Sequence, residues 1–575
     1  MCCRERGAAS RAGRVLSDRS STGRALLLAL LLAHVQGAEL NLRDFMPIGD
    51  GRSDDSAAFA RCFAAAKQAG GGTLVIPPGD YALSGETTIM LTSHLSVMAQ
   101  GARFHLPRDL GMRQHRVLFR GEDIQDMHWN GGHFHGYCFD WRQADNPWEP
   151  QANTRAILIT TTPGGVTADL TFRELTSDGL AGAVITVQGA LGKDERTVET
   201  YARQVTVADC TLERSGKFMW DYGLLWQITV WPEDYSEAER ALAARYFRND
   251  LISAVRLEDG DDRVGFTAPA LPPARSTDGG PAQAVCFFGD ALPANLVRGR
   301  QYFVIDADAQ HIRIAEAPGG TPLRFQGAAG AQARMIRNLQ AAYHALYAPT
   351  GSGPGKGAID VTGCREVQVH GCRLSALGDT MHLQRCEGIV FTGNHITGSR
   401  MGAFFLAEFC RNAVITGNLI EGTNGSRVMS IEKSCSDVTV IGNTFEGGGR
   451  GSWINQPRNL VMEGNIFSNN TTKGEADPYR GRRTYLTGDW ERYPELYLTT
   501  YEAGATYGPV ILRDNIFTTG PQAKAALRFA SGGRDILVEG NVLHGATGAV
   551  LVEGDAQVII GSNPGAVVTA MPASR

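Results

Sequence analysis

The chain of 575 residues has no run of like charges and little imbalance of sign. Its 55 Lys and Arg against 60 Asp and Glu leave a formal net charge of −5. Nucleic acid and anionic membranes want a basic face, so neither is expected as a partner. An acidic or basic tail is also missing. The 11 cysteines show no CxxC or CxxH spacing, so no zinc site is read from them. After residue 37 no apolar run is long enough to cross a bilayer.

Glycine is abundant instead. The 69 glycines stand well above the usual share of about 7 per cent. Turn-dense chains need them for positive φ. Their placement follows a repeat. Asn394, Asn418, Asn443, Asn465, Asn515 and Asn541 each sit in strings such as IVFTGNHI, AVITGNLI, VTVIGNTF and LVMEGNIF. The period is about 22 to 26 residues, doubled once where a long loop intervenes. Cys364, Cys386, Cys410 and Cys435 keep the same register, and Pro457 follows. Between these marks lie short runs of Val, Ile, Phe and Thr cut by Gly, Asn and Ser, which is strand chemistry. A chain that coils once per repeat stacks equivalent residues about 4.8 Å apart. Asparagine suits such a stack because its amide both donates and accepts. The repeats therefore predict an all-β parallel β-helix, with the four ladder cysteines as a buried column of small apolar side chains.

Residues 1–37 read as an export signal: six arginines within residues 1–24, the apolar run ALLLALLLAHV, and small residues before Ala38. The expected mature chain is secreted or periplasmic and free of the membrane. Residues 38–234 read as N-terminal coils and 235–349 as an insert. The insert has a helix at YSEAERALAARYF followed by a small β-barrel or sandwich. Residues 350–575 read as C-terminal coils, with GSGPGKG at 351–357 as a linker and a long loop at 470–508. That loop carries Trp490 and reads either as a lid or wall over a sugar-binding groove or as a packed loop covering one face of the solenoid.

Residues 40–83 supply turn residues and an N-cap (GDGRSDDS), a short amphipathic helix from Ala57 to Ala69, and then GGGTLVIPPGDYAL. This segment resembles the N-terminal motif of the pectate-lyase-like superfamily, which includes polygalacturonases and phage tailspikes. The resemblance implies a right-handed single-stranded parallel β-helix with an N-terminal capping helix, and action on carbohydrate. Related solenoids often trimerise, so a homo-oligomer is an expectation. The motifs of the well-known enzymes are missing. GDTMH at 378–382 has a single Asp where polygalacturonases have a pair, Gly-His-Gly is absent, and so is the Asp-Pro-His-Asp run of mannuronan epimerases.

Period-two alternation in the strands before Cys386, Cys410, Cys435 and Pro457 points Leu383, Leu406, Ile431 and Ile454 inward. It points His382, Phe405, Ser430 and Trp453 outward, with Gln384, Ala407, Glu432 and Asn455. Asp379, Arg400, Arg427 and Arg450 flank one side; Arg385, Glu408, Lys433 and Gln456 flank the other. Glycoside hydrolysis needs a proton donor and a second carboxylate roughly 5–10 Å away. Asp379, Glu408 and Glu432 on consecutive rungs suit that task, with one pKa raised toward neutrality. His382, Arg400, Arg427, Lys433 and Trp453 are the expected sugar-binding residues beside them.

A glycoside hydrolase needing no cofactor is the first expectation. A polysaccharide lyase is the second, with Lys433, an arginine or a tyrosine as base and Arg400, Arg427 or Ca²⁺ neutralising a uronate. A non-catalytic glycan-binding solenoid is the third. Two earlier clusters add candidates. His133 and His135 alternate on one strand face, as metal ligands can. Trp220 and Asp221, with two further tryptophans, offer a sugar platform or the seat of the insert.

Overall fold

The computed structural model describes residues 38–106, 116–136, 154–216 (except 181 and 195), 252–266, 284–288, 291–296, 301–316, 319–331 and 333–337. It further describes 356–399 (except 377), 402–422, 427–472, 493–500 and 504–572. Arg400, Asp221, Trp220, Trp490 and the helix expected at 235–247 lie outside the described residues.

Three long parallel sheets run side by side through these residues. The first extends from Ala38–Asn41 to Val558–Ile560, the second from Asp50–Asp54 to Val542–Gly545, and the third from Ile89–Met90 to Val567–Met571. A coil gives one strand to each sheet in turn. Cys364–His370, Arg373–Ala376 and Asp379–Gln384 make one such circuit. Period-two alternation sends every second side chain into a shared apolar core. Leu383, Leu406, Ile431 and Ile454 stack there in register and are fully buried. Cys364, Cys386, Cys410 and Cys435 are buried free thiols.

The corner between the first and second sheets is two residues long in coil after coil and is fixed by the asparagine ladder. Gly393, Gly417, Gly442 and Gly464 take φ of 62–63° there, which a glycine adopts without strain. The next residue is asparagine. Asn418 Nδ2 donates to Asn443 Oδ1 at 2.8 Å, and Asn443 Nδ2 to Asn465 Oδ1 at 3.0 Å. Each amide nitrogen also donates to a strand carbonyl, as Asn443 does to Ile415 at 2.9 Å. The chain of amides runs on through Asn515 and Asn541 to Asn563, a member the sequence strings do not mark.

The interval from Asn465 to Asn515 is a single coil, since Ile466 pairs directly with Ile516. The loop read at 470–508 is corrected in part: Leu496–Thr499 is a regular rung beside Ser452–Asn455. Leu496 and Leu498 point inward on the alternation, but an insertion hides them from the repeat. GSGPGKG needs a similar correction, because Lys356 opens the strand Lys356–Thr362.

The helix Ser56–Gln68 buries Phe59, Cys62, Phe63 and Ala66 against the first coils. Phe59 lies edge-on to Tyr81 and Phe104, with ring centroids 5.3 and 5.9 Å apart. The GDGRSDDS string supplies the N-cap residue Asp55, and Asp54 Oδ1 accepts from the Ser56 amide at 3.0 Å. Asp55 makes no side-chain cap bond and accepts from the amides of Ile48 and Gly49 instead. Strands between Ile252 and Arg337 close a separate six-stranded barrel around Val264, Phe287, Tyr302, Ile314 and Met335. It enters between Ser215 of the second sheet and Lys356 of the third, and the coils resume in register, with Val367 paired to Val205.

One buried acid makes folding pH-dependent. Glu495 is fully buried at the corner before Leu496–Thr499. Burial pushes its carboxyl up to about 7, against hydrogen bonds from the Asn470 amide and the Thr471 hydroxyl. The folded chain thus holds a proton that the unfolded chain releases near pH 4.5. Stability is expected to be full below that pH and to fall as pH rises toward about 7. Glu495→Gln mimics the protonated form. Urea unfolding at pH about 5 and about 8 should show a loss on the order of 2–3 kcal/mol in the parent and little change in the variant.

Candidate functional site

The outward face of the third sheet is mostly withdrawn from solvent. Register places Thr186, Asp360, His382, Phe405, Ser430, Trp453, Tyr497 and Arg528 in one column across successive rungs. At about 4.8 Å per rung the column spans about 34 Å. Ser430 is 3 % exposed, Trp453 4 % and Tyr497 8 %. An ordinary outer sheet face would be solvated.

Near the upper end is a cavity of about 290 Å³, lined by Lys356, Asp360, His382, Gln384, Glu408 and Glu432 among others. The antiparallel pair Ala190–Leu191 and Val198–Thr200 contributes Leu191 to its wall. The guanidinium of Arg196, in that hairpin's turn, lies 5.3 Å from the Phe409 ring centroid. Asp360 and His382 form the centre of the cavity. Asp360 Oδ1 and His382 Nδ1 are 2.9 Å apart, both buried. The His382 ring stacks on Phe405, with centroids 5.5 Å apart and planes 19° from parallel. The second carboxylate oxygen of Asp360, though buried, has no hydrogen-bond partner among the described residues, and neither has the Thr186 hydroxyl one rung up. Burial alone would raise the Asp360 carboxyl. The hydrogen bond and charge of His382, with Lys356 and Arg155, hold it down to about 2.

Lys356 and Arg155 bear on this pair, while Lys433 and Arg385 gather on Glu408, which lines the same cavity. Lys356 Nζ is 3.0 Å from Asp379 and 5.5 Å from the centroid of Phe405. Glu408 is bound by Lys433, by Gln384 Nε2 at 2.8 Å and by Arg385 at 3.6 Å. Burial pushes the Glu408 carboxyl up, but Lys433, Gln384 and Arg385 outweigh it and hold it below the ordinary range. The expectation of a raised pKa is therefore corrected for Glu408, because its neighbour is a lysine rather than a second carboxylate.

The expected residues divide as follows. Glu408, Glu432 and His382 share the cavity, while Asp379 turns to Lys356 at its edge. Arg427 lies over the Trp453 ring at 4.6 Å, further along the column. Trp453 meets Tyr497 edge-on at 5.2 Å, and Arg528 covers Tyr497 at 4.7 Å. Asn455 beside them is fully buried, and neither of its side-chain amide atoms has a partner among the described residues. Sequence reasoning missed Asp360 and Lys356. The strand before Cys364 obeys the same alternation, and extending the register one coil upstream sets Asp360 above His382. His133 and His135 do not join a metal-competent group among the described residues; His133 Nδ1 meets the Thr176 hydroxyl at 2.9 Å.

Residues 349–485 match the family model described as "Right handed beta helix region". The fold is a right-handed parallel β-helix. The chain is 49 % identical over 47 residues to mannuronan C5-epimerase AlgE3 of Azotobacter vinelandii, covering 8 % of this chain and 3 % of that protein. It is 35 % identical over 68 residues to alginate lyase 7 of the same organism, covering 11 % and 8 %. The chain thus spans only a small part of the curated relatives it matches. Among solved structures, the A-module of A. vinelandii mannuronan C-5 epimerase AlgE6 aligns with 93 % of this β-helix chain and all of its own, at TM-score 0.44 and 13 % identity. An exopolygalacturonase from Thermotoga maritima aligns over 94 % and 95 %, at TM-score 0.39 and 11 % identity.

Proposed function

We propose that the protein is an enzyme acting on an acidic polysaccharide in the third-sheet cleft, and that His382 abstracts the proton next to a uronate carboxylate. The buried Asp360–His382 pair carries this reading. With Nδ1 donating to Asp360, a neutral ring keeps its lone pair at Nε2, where a general base needs it. Asp360 fixes that tautomer and stabilises the imidazolium once the proton arrives. Abstraction builds negative charge on the substrate carboxylate. Lys356, which lines the cavity with His382, is the cation assigned to offset it. The electron pair left on carbon then expels the glycosidic oxygen and leaves an unsaturated uronide. The names of the partial relatives, mannuronan epimerases and an alginate lyase, concern uronate polymers and accord with this reading.

A second reading keeps Glu432 as the acid of a hydrolase with Glu408 as its ionised partner, because the two share the cavity. Product chemistry separates the two. The purified chain is incubated with alginate, polygalacturonate and a neutral glucan. Elimination is expected to give a rising ultraviolet absorbance on a uronate polymer only. New reducing ends without that absorbance would establish hydrolysis, and no turnover on any acidic polymer would overturn the proposal.

A further inference from the structure

The outer face of the first sheet carries a cluster that the cleft does not use. His128 lies on the strand Gln125–Asn130, with Asp126 two residues before it. Asp169 lies on the neighbouring strand Ala168–Arg173, and Gln125 pairs with Ala168, so Asp126 and Asp169 occupy equivalent points of consecutive coils. Both take a left-handed backbone, with φ of 54° and 55°. One ligand atom each from Asp126, His128 and Asp169 lie within 4.8 Å of one another. Asp126 is also gripped from two sides: His128 Nε2 is 2.9 Å from Oδ1, and His94 Nδ1 is 3.1 Å from Oδ2. His94 belongs to the coil before, immediately ahead of the strand Leu95–Met98.

We infer that Asp126, His128 and Asp169 form a binding site for a divalent transition-metal ion of the zinc class. The donor set decides the ion. Imidazole nitrogen with carboxylate oxygen suits Zn²⁺, whereas Ca²⁺ takes six to eight oxygens. Bonds of about 2.0–2.1 Å in a tetrahedral site hold ligand atoms about 3.3 Å apart, so His128 Nε2 and Asp126 Oδ1, now 2.9 Å apart, would open slightly to admit the ion. A cation would also relieve the repulsion of two carboxylates stacked one rung apart. The coils of Asp126 and Asp169 are consecutive, so the ion would staple two turns of the rod.

The test uses the full chain, stripped of metal by a chelator and titrated with zinc chloride by calorimetry. Saturable binding of one ion per chain is expected. Asp126→Asn and Asp169→Asn should each weaken it at least about tenfold with unchanged far-ultraviolet circular dichroism, and His133→Gln should leave it intact. Cobalt(II) in place of zinc should give the visible bands of a tetrahedral site, lost in Asp169→Asn. Absence of saturable zinc binding would overturn the inference. So would binding that Asp126→Asn and Asp169→Asn leave unchanged, which would assign the ion to the buried thiols.

Discussion

Replacing His382 with Gln is expected to lower turnover of an acidic polysaccharide by about 10²- to 10⁴-fold. The fold should survive. Glutamine keeps a polar group facing Asp360, and the core residues Met381 and Leu383 on either side are untouched. The affinity for polymer should change little, since Lys356, Lys433 and the aromatic column beyond remain. Asp360→Asn is expected to give a similar loss by a different route, because it frees the ring to take the other tautomer. The measurement is kcat and KM for both variants alongside a thermal melt. A His382→Gln enzyme within about threefold of the parent would remove His382 from the chemistry. A loss in kcat with an intact melt and unchanged KM would assign it to the proton transfer. Glu432→Gln serves as the comparison, since the hydrolase reading requires the large loss there.

The second large effect concerns the rod itself. Asn443→Ala removes five hydrogen bonds at one buried point. The side chain donates to Ile415, Ile441 and Asn465, and its oxygen accepts from the amide and the side chain of Asn418. Alanine leaves the Asn418 amide without a partner in a corner closed to water. Each buried orphan costs about 1–3 kcal/mol, so a total of roughly 3–6 kcal/mol is expected. Chemical unfolding of the variant should show it, with Thr439→Ala on the outer face as a control that changes little. A loss below about 1 kcal/mol would mean that the amides stack without holding the coils together.

The fold was legible because its strongest signals are local and repeated. Asn418 and Asn443 stand in nearly identical strings, and the same geometry forces the same residue at every turn. The cleft was legible only in part. His382, Glu408 and Glu432 fell on the outward side of an alternation that could be counted. Asp360 escaped because the count began one coil late, and Lys356 because a glycine-rich approach reads as linker. The tie between Glu408 and Lys433 joins residues 25 apart. Nothing in a string of letters says which of several nearby charges an acid will choose, and that choice decided its ionisation.

The two kinds of corner differ in what they tolerate. The asparagine corner admits two residues and no more. The corner leading into the third sheet admits almost any length, from the short step between Ala376 and Asp379 to the whole barrel between Ser215 and Lys356. Lengthening a connection whose ends are already pinned costs little, about 0.6 kcal/mol per doubling. The longest of them ends at Lys356, in the wall of the cavity. New recognition surfaces can thus be grafted at the mouth of the site, one coil at a time, while the scaffold beneath keeps its count.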